Sequence, residues 1–331
     1  MKPSGIPLAM RDAFLAELHR RMAVRSDLFF LSADFGSPRL DAIREDYPDR
    51  FVNVGIAEQN LINISLGLAL EGFCVFAFAI APFLSMRCFE QIRVDLAIHA
   101  PQRPINVNLL GVGAGMSYDV SGPTHHCLED LSILRTLPGL EIHSPADAPT
   151  AVALVDGALA RAVPKYFRMD GKPLPSLAEQ VAPEEVHRGF RVLRQGHWLI
   201  LATGFMVHRA LAVASGFAPG TVGVVDLFGI RPFDEAALIA QLRQARGILT
   251  LEEGFIGAGG LDALIGQLLR QAGTHIPLDC MGVVGGYLFD QGGREVLHAQ
   301  AGLALSDISA RLSAVIRRWD PAASLEHPHE P

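Results

Sequence analysis

The sequence predicts an α/β protein built of two doubly wound, mostly parallel-sheet domains. Three observations predict it. Continuous apolar runs alternate with amphipathic stretches along nearly the whole chain, the pattern of strands covered by helices on both faces. The alternation stops over residues 170–188, where Pro173, Pro175 and Pro183 accompany Glu179, Glu184 and Glu185, and then resumes. A length of 331 residues exceeds one ordinary domain and suits two. The expected division is a first domain over 1–172, a linker over 173–188, a second domain over 189–320 and a tail over 321–331.

In the first domain, apolar strands are expected at 28–31, 51–54, 74–80, 105–110, 140–142 and 165–169. Helices are expected between them at 9–23, 58–70, 82–99, 125–135 and 146–162. Gly55 permits a tight turn into the helix at 58, whose faces carry Leu61, Ile62, Ile64, Leu66 and Leu68. Pro82 suits a first helical position. In the second domain the strands are 198–201, 222–227, 248–251 and 278–283, and the helices 206–215, 234–245, 260–272 and 306–319. No short internal repeat is visible.

Composition excludes several classes. Half the residues are apolar and 19% charged, which rules out intrinsic disorder. Net charge is −7 (28 basic against 35 acidic residues) with no basic block, so neither nucleic acid nor an anionic membrane is an expected partner. The N-terminus has no apolar stretch suited to a signal peptide. The most apolar run, 72–86, falls short of the roughly 20 residues that span a bilayer. Cys74, Cys88, Cys127 and Cys280 have no C-x-x-C spacing, so no zinc site or disulfide framework is expected and a cytoplasmic location is the default. The tail from Asp320, with three prolines and two histidines, reads as a frayed end and not as a metal site.

Ligands of open α/β sheets bind beyond the carboxyl ends of strands, so the strand-to-helix junctions are the candidate sites. The first, Gly55-Ile56-Ala57-Glu58, puts Glu58 in the first turn of a helix. By spacing alone it is a carboxylate favoured by the helix dipole. The second holds Ile80, Phe83 and Met86 at intervals of three, which is either core packing or an apolar wall for a flat ring. The third, residues 111–130, is rich in glycine and proline but has neither a Walker pattern nor a G-x-G-x-x-G fingerprint. It carries His125 and His126 where a helix is expected to begin. Adjacent histidines there cannot both face the core, so at least one faces the crevice, where imidazole moves protons near neutral pH.

Together these junctions resemble the C-terminal half of the thiamine-diphosphate-dependent transketolases. Gly55-Ile-Ala-Glu-Gln-Asn60 is similar to that family's strand-end glutamate motif, and Phe89-Glu-Gln-Ile-Arg93 to its aromatic–acid–Gln–Ile–Arg helix. Gly122-Pro-Thr-His-His126, Glu129-Asp130 and Ser144-Pro-Ala-Asp147 follow in the family's order and spacing. The resemblance covers essentially the whole chain: a pyrimidine-binding domain, then the family's C-terminal domain. A full-length transketolase begins with a diphosphate-binding domain carrying Gly-Asp-Gly, which does not occur here. The resemblance therefore implies the β-type subunit of a split transketolase. A partner N-terminal subunit is expected to hold Mg2+ and the diphosphate, in an α2β2-type assembly acting on a small sugar.

The resemblance also implies roles. Glu58 hydrogen-bonds a pyrimidine nitrogen of thiamine diphosphate and favours the imino tautomer that takes the thiazolium proton. To donate that bond its pKa should be raised; burial can supply roughly 3–5 units, against a helix dipole worth roughly 0.3–1 kcal/mol. Ile80, Phe83, Met86 and Gln91 join Glu58 as cofactor contacts, and His125 joins it as a catalytic group. Arg11, Ser37, Tyr118, Asp119, His125, His126, Arg168 and Lys172 are substrate contacts. Two departures stand out. The 111–121 loop offers Tyr118 and Asp119 in place of the usual histidine and Glu-Asp pair. The second phosphate-binding arginine falls near Gly171, where Arg168 or Lys172 are the available cations, so the substrate is not expected to be a standard pentose phosphate. The expected activity is transfer of a two-carbon ketol unit. The alternatives are a 2-oxoacid dehydrogenase β-type subunit and a non-catalytic module of the same fold.

Overall fold

The structure, a computed structural model, describes residues 9–320. The expectations for residues 1–8 and for the tail 321–331 lie outside the described residues. Six strands form the first sheet in chain order: β1 (Leu28–Ser32), β2 (Phe51–Asn53), β3 (Cys74–Ile80), β4 (Val107–Val112), β5 (Glu141–His143) and β6 (Lys165–Met169). All pair in parallel. β3 and β4 are buried at nearly every position, as strands covered on both faces must be. The second sheet holds β7 (Phe190–Arg194), β8 (Gly196–Ala202), β9 (Gly220–Leu227), β11 (Gly247–Phe255) and β12 (Leu278–Val283). Its order is β12-β11-β8-β9-β7, with β7 antiparallel at the edge.

The strand β10 (Gly229–Arg231) leaves the second domain's sequence and pairs antiparallel with β5, giving the first sheet the order β10-β5-β6-β4-β3-β1-β2. Three residues carry no periodicity, so nothing in the sequence marks them as a strand. The domains also share a core. One apolar cluster contains Leu61, Leu109 and Leu131 together with Leu201, Val225 and Ile265.

The helices α1 (Met10–Met22), α2 (Pro38–Asp46) and α3 (Glu58–Leu70) precede β3. α2 was not expected, although Ser37 before Pro38 is a helix start: the Ser37 hydroxyl accepts from the Leu40 amide at 3.2 Å. The single helix expected over 82–99 is irregular. π-helical turns at Phe83–Arg87 and Ile92–Ala97 flank the short α4 (Phe89–Gln91). Ser85 and Cys88 turn side-chain bonds onto the carbonyls of Ala81 and Phe83, competing with the helical ladder. The helix expected from His125 begins only at α5 (Asp130–Leu134). A paired bridge between Gly115 and Cys127, with bonds of 3.1 and 2.8 Å, holds the intervening chain as a looped turn.

The segment expected as helix 146–162 is two short helices, α6 (Ala148–Ala153) and α7 (Val155–Ala160). The 173–188 segment contains α8 (Pro183–Arg188), ended by Gly189 in the left-handed region at φ 74°. α9 (Met206–Ser215), α10 (Glu235–Leu242), α11 (Leu261–Gln271), α12 (Arg294–Gln300) and α13 (Leu305–Trp319) complete the second domain.

A buried ionic network joins the domains. Glu253 of β11 accepts from Arg294 at 2.8 and 2.6 Å, from His298 at 2.5 Å and from the Met116 amide at 3.2 Å. Burial raises this carboxyl, but Arg294 and His298 outweigh burial and hold it well below the carboxylate range. Arg294 also reaches Asp170 at 2.7 Å and covers the Phe205 ring at 3.6 Å. Gly115, at φ 56°, makes the approach possible: a Cβ there would overlap the Glu253 carboxylate.

Two other carboxyls work against the fold as pH rises. Burial pushes Glu252 up to about 7, with Asp262 adding to it, and burial pushes Asp226 up to about 7 against the pull of Arg191. The folded chain therefore binds more protons than the unfolded one between roughly pH 4.5 and 7. The stability these groups lend is complete below that window and lost as pH rises through it. The melting temperature is expected to fall from pH 5.5 to 8.5. Glu252→Gln should flatten the decline, and a scanning melt across that range checks both.

Candidate active site

Glu58, the first residue of α3, is 4% exposed at the mouth of the β2–α3 junction. Its carboxylate accepts from Arg87 at 2.6 Å, and the Arg87 guanidinium lies over the Phe83 ring at 4.6 Å. Arg87 itself is 44% exposed. So Glu58 accepts where the resemblance has it donate, and donation to a ring nitrogen requires Arg87 to leave. Arg87 was not a candidate from the sequence. The available signal was a lone cation closing the apolar run 72–86.

Ile80, Phe83 and Met86 do not share a regular helix face. Ile80 ends β3, Phe83 opens the π-helical turn, and Met86 is 37% exposed. Gln91 is half-buried, and its side-chain oxygen is buried without a partner. His125 sits edge-on to Phe83 at 5.2 Å and to Tyr118 at 6.5 Å, with Thr124 Oγ1 at 3.0 Å from its Nδ1. Its position comes from the looped turn and not from a helix start. His126 points the other way: it is 2% exposed, both ring nitrogens lack partners, and burial lowers its pKa. The pair divides as adjacent histidines must, with His125 on the crevice and His126 in the interior.

The substrate candidates separate. Arg11 is paired with its neighbour Asp12 at 2.8 Å, and Ser37 serves as the α2 cap. Asp119 is buried, pairs with Lys172 and accepts from the Arg294 amide at 2.7 Å. Arg168 is a correction. It is 4% exposed and committed to Asp130 at 2.9 Å and to the carbonyls of Cys127 and Glu253. Its place within β6 points it inward, so it holds the domains together and offers nothing to a substrate. Among the described residues no group of His, Cys, Asp or Glu is arranged to hold a metal ion, and no helix is long and apolar enough to cross a membrane.

In a chain of two α/β domains, a buried carboxylate, an aromatic ring and an imidazole thus meet at the strand ends, the place where open α/β sheets take ligands. Residues 7–175 match the family described as "Transketolase, pyrimidine binding domain" and 190–308 that described as "Transketolase, C-terminal domain". The chain belongs to the transketolase family. It is 32% identical to one of the subunits of the apulose-4-phosphate transketolase of Actinobacillus succinogenes, over 80% of this chain and 84% of that protein. It is 28% identical to the 6-deoxy-6-sulfo-D-fructose transketolase subunit SqwH of Clostridium sp., over 83% and 87%. A related branch is represented by 1-deoxy-D-xylulose-5-phosphate synthase of Frankia casuarinae, 32% identical over 95% of this chain but only 48% of that protein. Among solved structures, a split gene transketolase in an inactive beta4 tetramer superposes with a TM-score of 0.79 at 28% identity, covering 95% of this chain and all of that one.

Proposed function

We propose that this chain is the β-type subunit of a two-chain transketolase, moving a two-carbon ketol unit from a ketose to an aldehyde or other acceptor. One carbon–carbon bond breaks in the donor, which leaves as an aldehyde two carbons shorter, and one forms at the acceptor carbonyl. The exchange is redox-neutral. The observation that carries the proposal is the flat Arg87 guanidinium seated on Phe83 and bonded to buried Glu58. An aminopyrimidine taking the place of the guanidinium would meet the same aromatic face and the same carboxyl group, so the residues fit thiamine diphosphate once Arg87 leaves. When bound, that cofactor would supply a nucleophilic carbon toward the ketose carbonyl. Glu58, Phe83, Ile80, Met86 and Gln91 orient its pyrimidine end, and His125 stands by to move protons at the substrate.

The partner subunit is inferred from the relatives named as subunits, which this chain matches over most of their length. Ile56 at 78% and Val120 at 68% exposure, beside the crevice, suit burial against that subunit, which would hold the diphosphate and Mg2+ in an α2β2-type assembly. The burial of Glu58 weighs against a non-catalytic module. Calorimetry with thiamine diphosphate and Mg2+ tests the proposal. The chain alone is expected to bind weakly and the reconstituted pair tightly. Arg87→Ala in the pair should bind several-fold more tightly, the worth of the about 1 kcal/mol held in a half-exposed ion pair. Tight, magnesium-dependent binding by the chain alone would contradict the split site.

A further inference from the structure

The Tyr118 ring lies across the carboxyl ends of β4 and β6, wedged between two glycines. On one edge, a Cβ at Gly113 would run into its Cε2. On the other, a Cβ at Gly171 would come to 3.0 Å from Cε1 and 3.3 Å from Cζ. The slot exists because both walls lack side chains, and Gly113 at φ 104° adds a backbone geometry that L residues avoid. The Gly171 amide donates to Ser117 Oγ at 3.1 Å, tying the loop before the ring to the end of β6. The ring's edge-on contact with His125, itself edge-on to Phe83, sets it at the far end of the crevice from Glu58.

The charges around this end are already matched. Arg11 gives Nε and Nη2 to Asp12. Lys172 pairs with Asp119, and Arg168 is buried on Asp130. A phosphate arriving here meets cations that each already face a carboxylate, so the like charges of Asp12 and Asp119 offset much of their attraction. Tyr118 offers a neutral hydroxyl: burial pushes the phenol up to about 12, with Arg11 pulling the other way. Phenol and imidazole both donate and accept hydrogen bonds, as a sugar hydroxyl does.

Resting on the ketol-transfer assignment above, we propose that the substrate tail held by this chain is uncharged and hydroxylated. Tyr118, seated between Gly113 and Gly171, is the residue that sets the preference. Beyond Asp119, the residue after Tyr118, an open pocket of about 360 Å³ is lined by Lys172, Leu174, Phe205 and Arg294.

The test uses the pair reconstituted with its diphosphate-binding subunit, with erythrulose as donor. The acceptors are matched: glycolaldehyde against glycolaldehyde phosphate, and erythrose against erythrose 4-phosphate. The unphosphorylated member is expected to have a kcat/KM at least tenfold higher. Tyr118→Phe should raise KM for it several-fold with kcat nearly unchanged. Tyr118→Ala with Gly171→Arg should shift the preference toward phosphate. A wild-type pair favouring the phosphorylated acceptors overturns the proposal whether or not the variants fold, and so does a Tyr118→Ala protein with an unaltered ratio. A pair that binds cofactor yet turns over none of the four acceptors defeats the transferase assignment itself, and the proposal with it.

Discussion

Glu58→Ala is expected to cut ketol transfer by the reconstituted pair at least about 100-fold, the usual scale for losing a positioned proton-handling group. The fold should survive. The ion-pair partner of Glu58, Arg87, is 44% exposed and can return to water. Exposed pairs and first-turn carboxylates are each worth about 1 kcal/mol or less. The variant should therefore melt within a few degrees of the parent while losing activity. The large functional effect follows from place, not charge: Glu58 is the buried carboxylate next to the Phe83 face, at the end of the strand where the crevice opens. Turnover near that of the parent, measured alongside the melt, would remove Glu58 from the chemistry.

The second large effect lies far from the crevice. Arg294→Met is expected to lower stability by about 3–5 kcal/mol, the cost of breaking a buried ionic group by removing one partner. Methionine fills the volume over Phe205, but Glu253 and Asp170 lose the guanidinium between them. Adding Asp170→Asn should recover part of the loss, because one of the two abandoned charges is then gone. Urea midpoints of the parent, the single and the double variant measure this. A shift below about 1 kcal/mol for Arg294→Met would mean that the network is not what holds the domains together. The same network grips the loop that carries Tyr118, Asp119 and His125, through the Met116 amide and the Arg294 amide. The second domain thus positions the crevice of the first.

Much of the architecture was legible. Helix 58–70 and strands 74–80, 165–169 and 278–283 have the bounds their apolar patterns predict, because period and burial there agree. The strand expected at 248–251 runs on to Phe255 and carries Glu252 and Glu253 into the interior, which its apolar pattern did not predict. Arg87 was not legible either: 29 residues separate it from Glu58, and only the irregular turn at Phe83–Arg87 brings the two together.

By itself the sequence determined the two-domain α/β class, the order of the strands along the chain and the junctions where Glu58, Phe83 and His125 stand, because local periodicity and turn residues act over a few neighbouring positions. Only the tertiary structure decided which cations are free. Arg168 went to Asp130, Lys172 to Asp119, Arg11 to Asp12 and Arg87 to Glu58. Most of these partners come together through the packing of separate strands and loops. A charge's availability depends on what packing sets within a few ångströms of it, and that distance is not written in sequence separation.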